Sequence, residues 1–305
     1  MNAAAADLVW RTYHALMRAV RHRAWMWRAV RLVPERARTA VYRAVEQYRQ
    51  STREIDFTVA HPVLGHRMFL CSRTDLGQLF VSGVYEKDVV RVLVEGLRPG
   101  MTFVDVGAHV GFHTVIAARS VGARGKVYAF EPQPEVRSLL ERNVAQNGYR
   151  SRCEVLGVAV SDRQGTGRLY LGKRERGHSS FYASDRTAEA IPVETTTLDR
   201  FFAGRGWPPV HWVKMDIEGA EAFALRGMRG LVARNPALAL IMEFGVHTAR
   251  DAGYTHVRLA RLLHGLGFRI GYWIEAGLRR FELPVEWPAT DYGNLLFVQG
   301  EGPPT

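Results

Sequence analysis

The sequence predicts an α/β protein whose mostly parallel sheet is covered by helices on both faces, and three observations lead to this class. Strand-like and helix-like segments alternate between residues 85 and 299. The apolar run Ala237 to Met242 is typical of a strand that is buried on both sides. A glycine turn follows the first core strand, as in folds that bind a nucleotide at the carboxyl ends of parallel strands.

Short apolar and β-branched runs predict the strands of this sheet. They lie at residues 102–106, 126–131, 153–158, 210–216, 238–244, 267–274 and 294–299. Helices fit between them at residues 85–97, 112–121, 134–147, 219–234 and 255–265. Gly100 breaks the chain before the first core strand, which is expected to lie centrally, and Gly271 to Leu283 is expected to form a hairpin.

The basic charge of the chain is concentrated at its beginning. The net charge is +11, and residues 1–50 contain ten arginines against three acidic residues. Apolar residues recur there at helical spacing, which predicts a basic amphipathic helix. This helix either packs on the rest of the protein or a second subunit, or attaches to an anionic membrane surface. The predicted division is therefore a helical appendage over 1–50, lead-in strands and a helix over 51–100, and the main domain over 101–300.

Cysteine usage and hydropathy indicate an intracellular protein. Cys71 and Cys153 are far apart and lack the spacing of a disulfide framework or a zinc site. Arginines interrupt the amino-terminal segment, so it lacks a secretory core, and no apolar run is long enough to span a bilayer. We expect a cytoplasmic protein with peripheral membrane contact as one interpretation of the basic helix.

The segment VDVGAHVGFHT, Val104 to Thr114, predicts a cofactor site. Gly107 lets a ligand approach the backbone closely, and Gly111 stands where the turn becomes a helix with exposed N–H groups. Glu131 ends the next strand, where a carboxylate can accept hydrogen bonds from both ribose hydroxyls. The loop lacks the G-x-G-x-x-G pattern of dinucleotide sites, and Asp105 suits a cationic ligand such as S-adenosylmethionine.

A second acidic cluster follows the fourth core strand, in the sequence VKMDIEGAE. Asp216 is expected at the carboxyl end of that strand, beside the cofactor crevice. Glu218 and Glu221 enter the next helix, where they either line the crevice or compensate the helix dipole. Lys214 is expected to be a partly buried partner of a carboxylate rather than a catalytic base.

Together these motifs resemble one known family. The segments VDVGAHVGFHT, FEPQP, NVAQNG, GVAVSD, TTTLD and VKMDIEGAE occur in an order that is similar to the FkbM-type family of S-adenosylmethionine-dependent methyltransferases. The resemblance covers roughly Gly83 to Val298. It implies a class I methyltransferase (Rossmann-like) fold, a seven-stranded sheet whose last strand is antiparallel, and O-methylation of a sugar or secondary metabolite.

The resemblance also assigns roles by position. Asp105, Gly107 and Gly111 would line the methionine side of the cofactor, Glu131 would bind its ribose, and Asp162 would lie near its adenine. His109 stands where similar sequences often carry asparagine. The complete set of predicted cofactor-binding residues is Glu86, Asp105, Gly107, His109, Gly111, Phe112, Glu131, Pro132, Asn147, Asp162 and Asp216.

Methyl transfer to oxygen requires that an acceptor hydroxyl lose its proton. The candidates for this role are His247, His178 and Asp216. Asp216 and Glu243, which ends the fifth strand, would together hold a divalent cation such as Mg²⁺, or would serve only a polar network. The loop Gly177 to Phe181 is predicted either to contact the acceptor or to be a solvent loop.

The sequence also bears on two other functional classes. A nucleic-acid amino methyltransferase needs an Asn/Asp-Pro-Pro-aromatic turn after the fourth strand, and this chain has Asp216-Ile217-Glu218-Gly219 there. No nucleic-acid partner is therefore expected, and the predicted partner is a small-molecule acceptor. The alternative is a non-catalytic protein that retains the fold and binds a partner or membrane through residues 1–50.

Overall fold

A computed structural model describes residues 57–60, 67–70, 86–172, 179–183, 187–275, 277–284, 292–300 and 302. The chain divides into two units, residues 1–86 and 87–305, and each is described by itself. In the first unit, β1 (Phe57–Ala60) pairs with β2 (Arg67–Leu70) as an antiparallel hairpin. The predicted basic helix of residues 1–50 lies outside the described residues, and the three predicted domain ranges stay predictions.

The second unit is built on a central sheet, in which eight strands are found among the described residues. They are β3 (Thr102–Val106), β4 (Lys126–Phe130), β5 (Cys153–Leu156), β9 (Trp212–Met215), β10 (Ala239–Gly245), β11 (Ile270–Ile274), β12 (Leu278–Glu282) and β13 (Tyr292–Val298). Their order across the sheet is β12-β11-β13-β10-β9-β3-β4-β5. The run from β10 to β5 is parallel, and β13 is antiparallel to β10 and β11.

Helices cover both faces of this sheet. They are α1 (Lys87–Gly96), α2 (Phe112–Ser120), α3 (Pro134–Gln146), α4 (Leu198–Ala203), α5 (Glu221–Arg226), α6 (Arg229–Arg234), α7 (Val246–Asp251) and α8 (His256–Gly265). Helices α1 to α3 pack on the face that carries Phe103, and α4 to α8 pack on the face that carries Val104 and Val106. The strand alternation of β3 therefore sends side chains into two separate apolar layers.

None of the helices in the described ranges combines the length and apolarity that a membrane crossing requires.

The predicted α/β fold is confirmed, with one correction to the strand count. Seven strands were predicted, and the eighth is β12, which pairs with β11 as the second strand of the expected hairpin. Four of its five residues are exposed, so it lacks the apolar run by which the other strands were recognised. The first core strand, β3, lies between β9 and β4 in the sheet, as predicted.

The predicted helix over 219–234 is in fact two helices, α5 and α6. They meet at Gly227, where an added Cβ would lie 2.1 Å from the carbonyl oxygen of Ser161. Only glycine fits at this point, and its low helix propensity favours the end of α5 there.

A small second sheet lies between β5 and β9 in the sequence and was not predicted. Its strands are β6 (Ala159–Val160), β7 (Gly165–Gly172) and β8 (Thr187–Thr196), in the order β6-β8-β7. Tyr170 of β7 also forms backbone hydrogen bonds with Ser180. These bonds hold residues 179–183 beside β7.

Candidate active site

The carboxyl ends of β4, β3, β9 and β10 meet at one edge of the central sheet, and the loops that follow them are tied together by backbone hydrogen bonds. The N–H groups of Gly107 and Ala108 both donate to the carbonyl oxygen of Phe130, and the N–H of Asp216 donates to that of Val106. The turn after β3 is therefore fixed against both neighbouring strands. This edge is where open α/β sheets bind ligands.

The two glycines of the turn are required by packing. Gly107 has φ 79°, and an added Cβ would lie 1.8 Å from the carbonyl oxygen of Asp216. Gly111 has φ 87°, and its added Cβ would lie 2.4 Å from Cδ1 of Leu140 in α3. Both residues thus have a structural reason in addition to the predicted approach of a ligand, and their contact with the cofactor stays a prediction.

Asp105 is buried inside β3 and faces α2. Its Oδ2 accepts a hydrogen bond of 2.6 Å from Oγ1 of Thr114. This bond holds the first turns of α2 on the strand and so positions the amide groups at the start of that helix. The structure gives Asp105 a supporting contact here, and the predicted contact with the methionine side of the cofactor stays a prediction.

Glu131 follows β4 and joins two loops at the edge. Its side chain is only 7% exposed, its Oε2 accepts from the backbone N–H of His109 at 2.9 Å, and its Oε1 accepts from that of Gln133 at 2.9 Å. Burial raises the pKa of Glu131 to about 7, although the two amide hydrogen bonds work against the rise. Each carboxylate oxygen can accept a further hydrogen bond, so ribose hydroxyls can still be bound.

His109 contributes its backbone to this arrangement. Its φ of 50° lies in the left-handed region, where asparagine is among the residues most readily accommodated. That conformation directs the His109 N–H at Glu131. A backbone requirement of this kind explains why a histidine can stand where similar sequences often carry asparagine.

Asp216 follows β9 and forms an ion pair with Lys214. Lys214 is 2% exposed, and its Nζ donates to Oδ2 of Asp216 at 3.0 Å. The expectation that Lys214 pairs with a carboxylate therefore agrees with the structure. The ammonium of Lys214 balances the charge of Asp216 at the edge.

Glu243 lies next to Asp216, near the end of β10. Met242 of β10 pairs with Met215 of β9, so the residues that follow them are neighbours on the same face of the sheet. Carboxylate oxygens of Asp216 and Glu243 lie within 4.8 Å of each other. The hydroxyl of Tyr292 donates to Oε1 of Glu243. Two acidic groups thus converge at the carboxyl ends of β9 and β10, and their predicted binding of a divalent cation stays a prediction.

Glu221 has a different role from the acidic pair. Its Oε1 accepts from the N–H groups of Ile217 and Gly219 at 3.2 Å, and its Oε2 accepts from the Tyr254 hydroxyl at 2.8 Å. Burial raises the pKa of Glu221 against these hydrogen bonds. The side chain therefore fixes the loop between β9 and α5, which supports the structural alternative for this residue.

Three other predicted residues have contacts of their own. His247 is exposed at the start of α7, where its Nδ1 is 3.2 Å from Nη2 of Arg250. Asp162 pairs with Arg226 at 3.6 Å, and Asn147 follows the end of α3, where it donates to the carbonyl oxygen of Asn143. Because α3 starts at the edge and runs about 20 Å away from it, Asn147 lies away from the strand ends.

Three further predicted positions complete the set. Phe112 is buried in the first turn of α2, and Pro132 follows Glu131 at the edge. Glu86 is the last residue of the first unit. His178 lies outside the described residues. The cofactor roles of Phe112, Pro132 and Glu86 stay predictions, as does the catalytic role of His178.

Ser179 and Ser180 belong to the loop Gly177 to Phe181, which was predicted either to contact the acceptor or to be a solvent loop, and the sequence did not indicate their partners. Ser179 Oγ donates to Oε1 of Gln133 at 3.1 Å, and Ser180 Oγ donates to the carbonyl oxygen of Glu218 at 2.7 Å. Tyr292, which contacts Glu243, was missed. The first two contacts join residues 46 and 38 positions apart, so no local pattern indicated them.

Residues 105–270 match the family described as methyltransferase FkbM domain. The chain is 31% identical over 271 residues to the AMB antimetabolite synthetase AmbE of Pseudomonas aeruginosa, and this match covers 74% of this chain and 12% of that protein. It is 25% identical over 143 residues to the hexuronic acid methyltransferase AglP of Haloferax volcanii, which covers 47% of this chain and 56% of that protein. The chain therefore spans only a part of each relative.

Among solved structures, the chain is similar to a SAM-dependent O-methyltransferase from Thermotoga maritima, with a TM-score of 0.41 and 17% identity. The similarity covers 72% of this chain and 67% of that one.

Proposed function

Because the chain belongs to the methyltransferase FkbM domain family, we propose that it transfers a methyl group from S-adenosylmethionine to a hydroxyl of a sugar or secondary metabolite. The membership confirms the predicted family, the methyltransferase class and S-adenosylmethionine as the cofactor. The oxygen nucleophile and the class of acceptor are the proposal.

The observation that carries the proposal is the pair of carboxylates at the ends of β9 and β10. Asp216 and Glu243 approach within 4.8 Å, and the carbonyl oxygen of Asp216 packs on Gly107 in the turn that is predicted to hold the cofactor. A hydroxyl group that lies between this turn and the pair could donate its proton to a carboxylate. Acid-base assistance of this kind suits an alcohol, which must lose a proton during methyl transfer.

The charged side chains at the edge suit the cofactor. Carboxylates predominate there, and they complement a ligand that carries a sulfonium and an ammonium group. When bound, S-adenosylmethionine supplies a methyl group that is already activated for displacement. Glu131 would accept hydrogen bonds from the ribose, and the N–H groups at the start of α2 face the same crevice.

The residues of the chain then have two tasks in the reaction. They align the acceptor oxygen behind the methyl carbon, and they take up the hydroxyl proton as the oxygen–carbon bond forms and the carbon–sulfur bond breaks. Asp216 is our first candidate for the proton acceptor, because its carboxylate belongs to the acidic pair and its carbonyl oxygen packs on the Gly107 turn. His247 is exposed and next to Arg250, which makes it the weaker candidate.

Names of the relatives support the choice of acceptors to be tested. One relative is named for a hexuronic acid and another for an antimetabolite, which are compounds of the two proposed classes. A panel of sugar acids, neutral sugars and hydroxylated metabolites, incubated with the enzyme and methyl-labelled cofactor, tests the proposal. Transfer to no member of either class would count against it.

Variants of two candidate bases sharpen this test. We expect D216N to lower kcat by about 100-fold or more, since the amide cannot accept the proton. The matched variant H247A should keep kcat within about 3-fold of the wild type, because His247 is exposed and contacts Arg250. A large loss in H247A with normal activity in D216N would reverse the assignment.

The acidic pair also admits the metal interpretation, and the contacts of the pair favour a polar network. Lys214 already neutralises Asp216, and Tyr292 already binds Glu243. A divalent cation would have to compete with both partners. We therefore expect full activity in the presence of a chelator. Loss of activity with the chelator and recovery with Mg²⁺ would establish Asp216 and Glu243 as candidate ligands.

A further inference from the structure

Gln133 is a polar residue that the cofactor assignments leave out. It lies at the amino-terminal cap of α3, two residues after Glu131, and its side chain is 2% exposed. Its backbone N–H donates to Oε1 of Glu131 at 2.9 Å. The position of Gln133 is therefore tied to the carboxylate that is predicted to bind the ribose.

The side-chain carboxamide of Gln133 is only half satisfied by the described residues. Its Oε1 accepts from Ser179 Oγ at 3.1 Å. Its Nε2 is buried and has no hydrogen-bond partner among the residues that the structure describes. Buried amide donors are nearly always bonded, because leaving one without an acceptor costs free energy.

Ser179 fixes the orientation of this carboxamide. The hydroxyl oxygen of Ser179 accepts from the backbone N–H of Gly172 at 3.4 Å, so its own hydrogen is available for Gln133. The oxygen of the carboxamide thus turns to Ser179, and the NH₂ group is left for another acceptor. Gln133 can present this donor without losing its contact with Ser179.

The segment that contains Ser179 spans the cofactor edge. Ser179 contacts Gln133 after β4, and Ser180 contacts Glu218 after β9. Strand β3 lies between β4 and β9, so residues 179–183 connect the loops on either side of the Gly107 turn. A ligand held at Glu131 would therefore lie close to the Gln133 carboxamide.

We infer that Gln133 is a further cofactor-binding residue, whose Nε2 donates a hydrogen bond to an acceptor atom in the nucleoside part of S-adenosylmethionine. The nucleoside is the relevant part because Gln133 is bonded directly to Glu131. Ser179 acts as a positioning residue, since it holds the carboxamide in the required orientation. This inference rests on the cofactor named in the proposed function, and it is independent of the acceptor.

The variant Q133M tests the inference, because methionine has a similar size and no donor. We expect the dissociation constants of both S-adenosylhomocysteine and 5′-methylthioadenosine to rise by about 10-fold or more, measured by calorimetry. The two ligands share the nucleoside, and only the first has the amino-acid part, so equal losses place the contact on the nucleoside. S179A should raise the dissociation constants of both ligands by a smaller factor. Q146A, on α3 and bonded to Asn143, is the matched control and should bind as the wild type does.

Thermal unfolding of the ligand-free variants separates binding from folding. Q133M should unfold at a temperature close to that of the wild type, because the removal of a buried donor without an acceptor offsets the loss of the hydrogen bond from Ser179. Wild-type affinity in Q133M for either ligand would overturn the inference. Failure of the wild type to bind S-adenosylhomocysteine would overturn both the cofactor assignment and the inference, whereas normal wild-type binding with an unaffected variant would overturn the inference alone.

Discussion

The carbonyl oxygen of Asp216 occupies the space in which Gly107 would place a Cβ, at a separation of 1.8 Å. The predicted cofactor turn and the acidic pair are therefore in direct contact through their backbones. A change at Gly107 must displace Asp216, or the strand end that carries it, and so should affect both binding and chemistry.

G107A should destabilise the protein strongly. Alanine at this position adds a steric conflict with Asp216 to the cost of a positive φ. G148A is the matched control, since Gly148 has φ 75° and nothing lies within 4 Å of its added Cβ. We expect G148A to lower the free energy of unfolding by about 1–2 kcal/mol and G107A by at least about 1 kcal/mol more, measured by urea denaturation. Equal losses would show that packing on Asp216 is unimportant.

Cofactor affinity should increase with pH around neutrality. Burial raises the pKa of Glu131 to about 7, and ribose hydroxyls donate to its ionised form. Below this pKa the free protein must lose a proton before it binds, so affinity should fall by up to about tenfold for each pH unit below 7. Calorimetry with S-adenosylhomocysteine between pH 5.5 and 8.5, a range of about three units around this pKa, measures the effect. E131Q should bind weakly and lose the pH dependence.

The same group has the opposite effect on the stability of the free protein. The pKa of Glu131 is raised in the folded state above its ordinary value of 4.5, so the protonated carboxyl is the form that folding favours. This contribution to stability is complete below pH 4.5 and is lost as the pH rises through about 7.

Cofactor affinity that increases as the pH falls would contradict the ribose role of Glu131.

His109 should be replaceable by asparagine. The residue acts through a left-handed backbone conformation and through its N–H, which donates to Glu131. H109N should therefore keep the free energy of unfolding within about 0.5 kcal/mol and should bind S-adenosylhomocysteine normally. H109V should lower the free energy of unfolding by about 1–2 kcal/mol, because a β-branched residue disfavours this conformation. Equal loss of affinity in both variants would instead indicate a contact made by the imidazole.

Much of the fold could be predicted from the sequence because the core strands are short apolar runs separated by helical patterns. All seven predicted strands are present, and β3 is central. The eighth strand, β12, is mostly exposed, and the small sheet of β6, β7 and β8 is held by pairings within a long insertion. Neither feature produces the apolar periodicity on which prediction depends.

The candidate site was predictable where it follows strand ends and unpredictable where it depends on distant side chains. Glu131 and Asp216 were found because each directly follows a core strand. Gln133 and Tyr292 were missed, since their partners Ser179 and Glu243 are 46 and 49 residues away. The left-handed backbone of His109, with φ 50°, could not be recognised from one sequence, and its predicted contact with the cofactor stays a prediction.

Methylation of oxygen by this chain is tested by identifying the atom to which the methyl group becomes attached. The purified chain is incubated with ¹³C-methyl S-adenosylmethionine and the acceptor panel, and the product is examined by carbon NMR and mass spectrometry. We expect a labelled methyl ether or ester on a sugar or metabolite, whose formation D216N suppresses. A labelled methyl group on nitrogen or carbon, or no labelled product with either acceptor class, would contradict it.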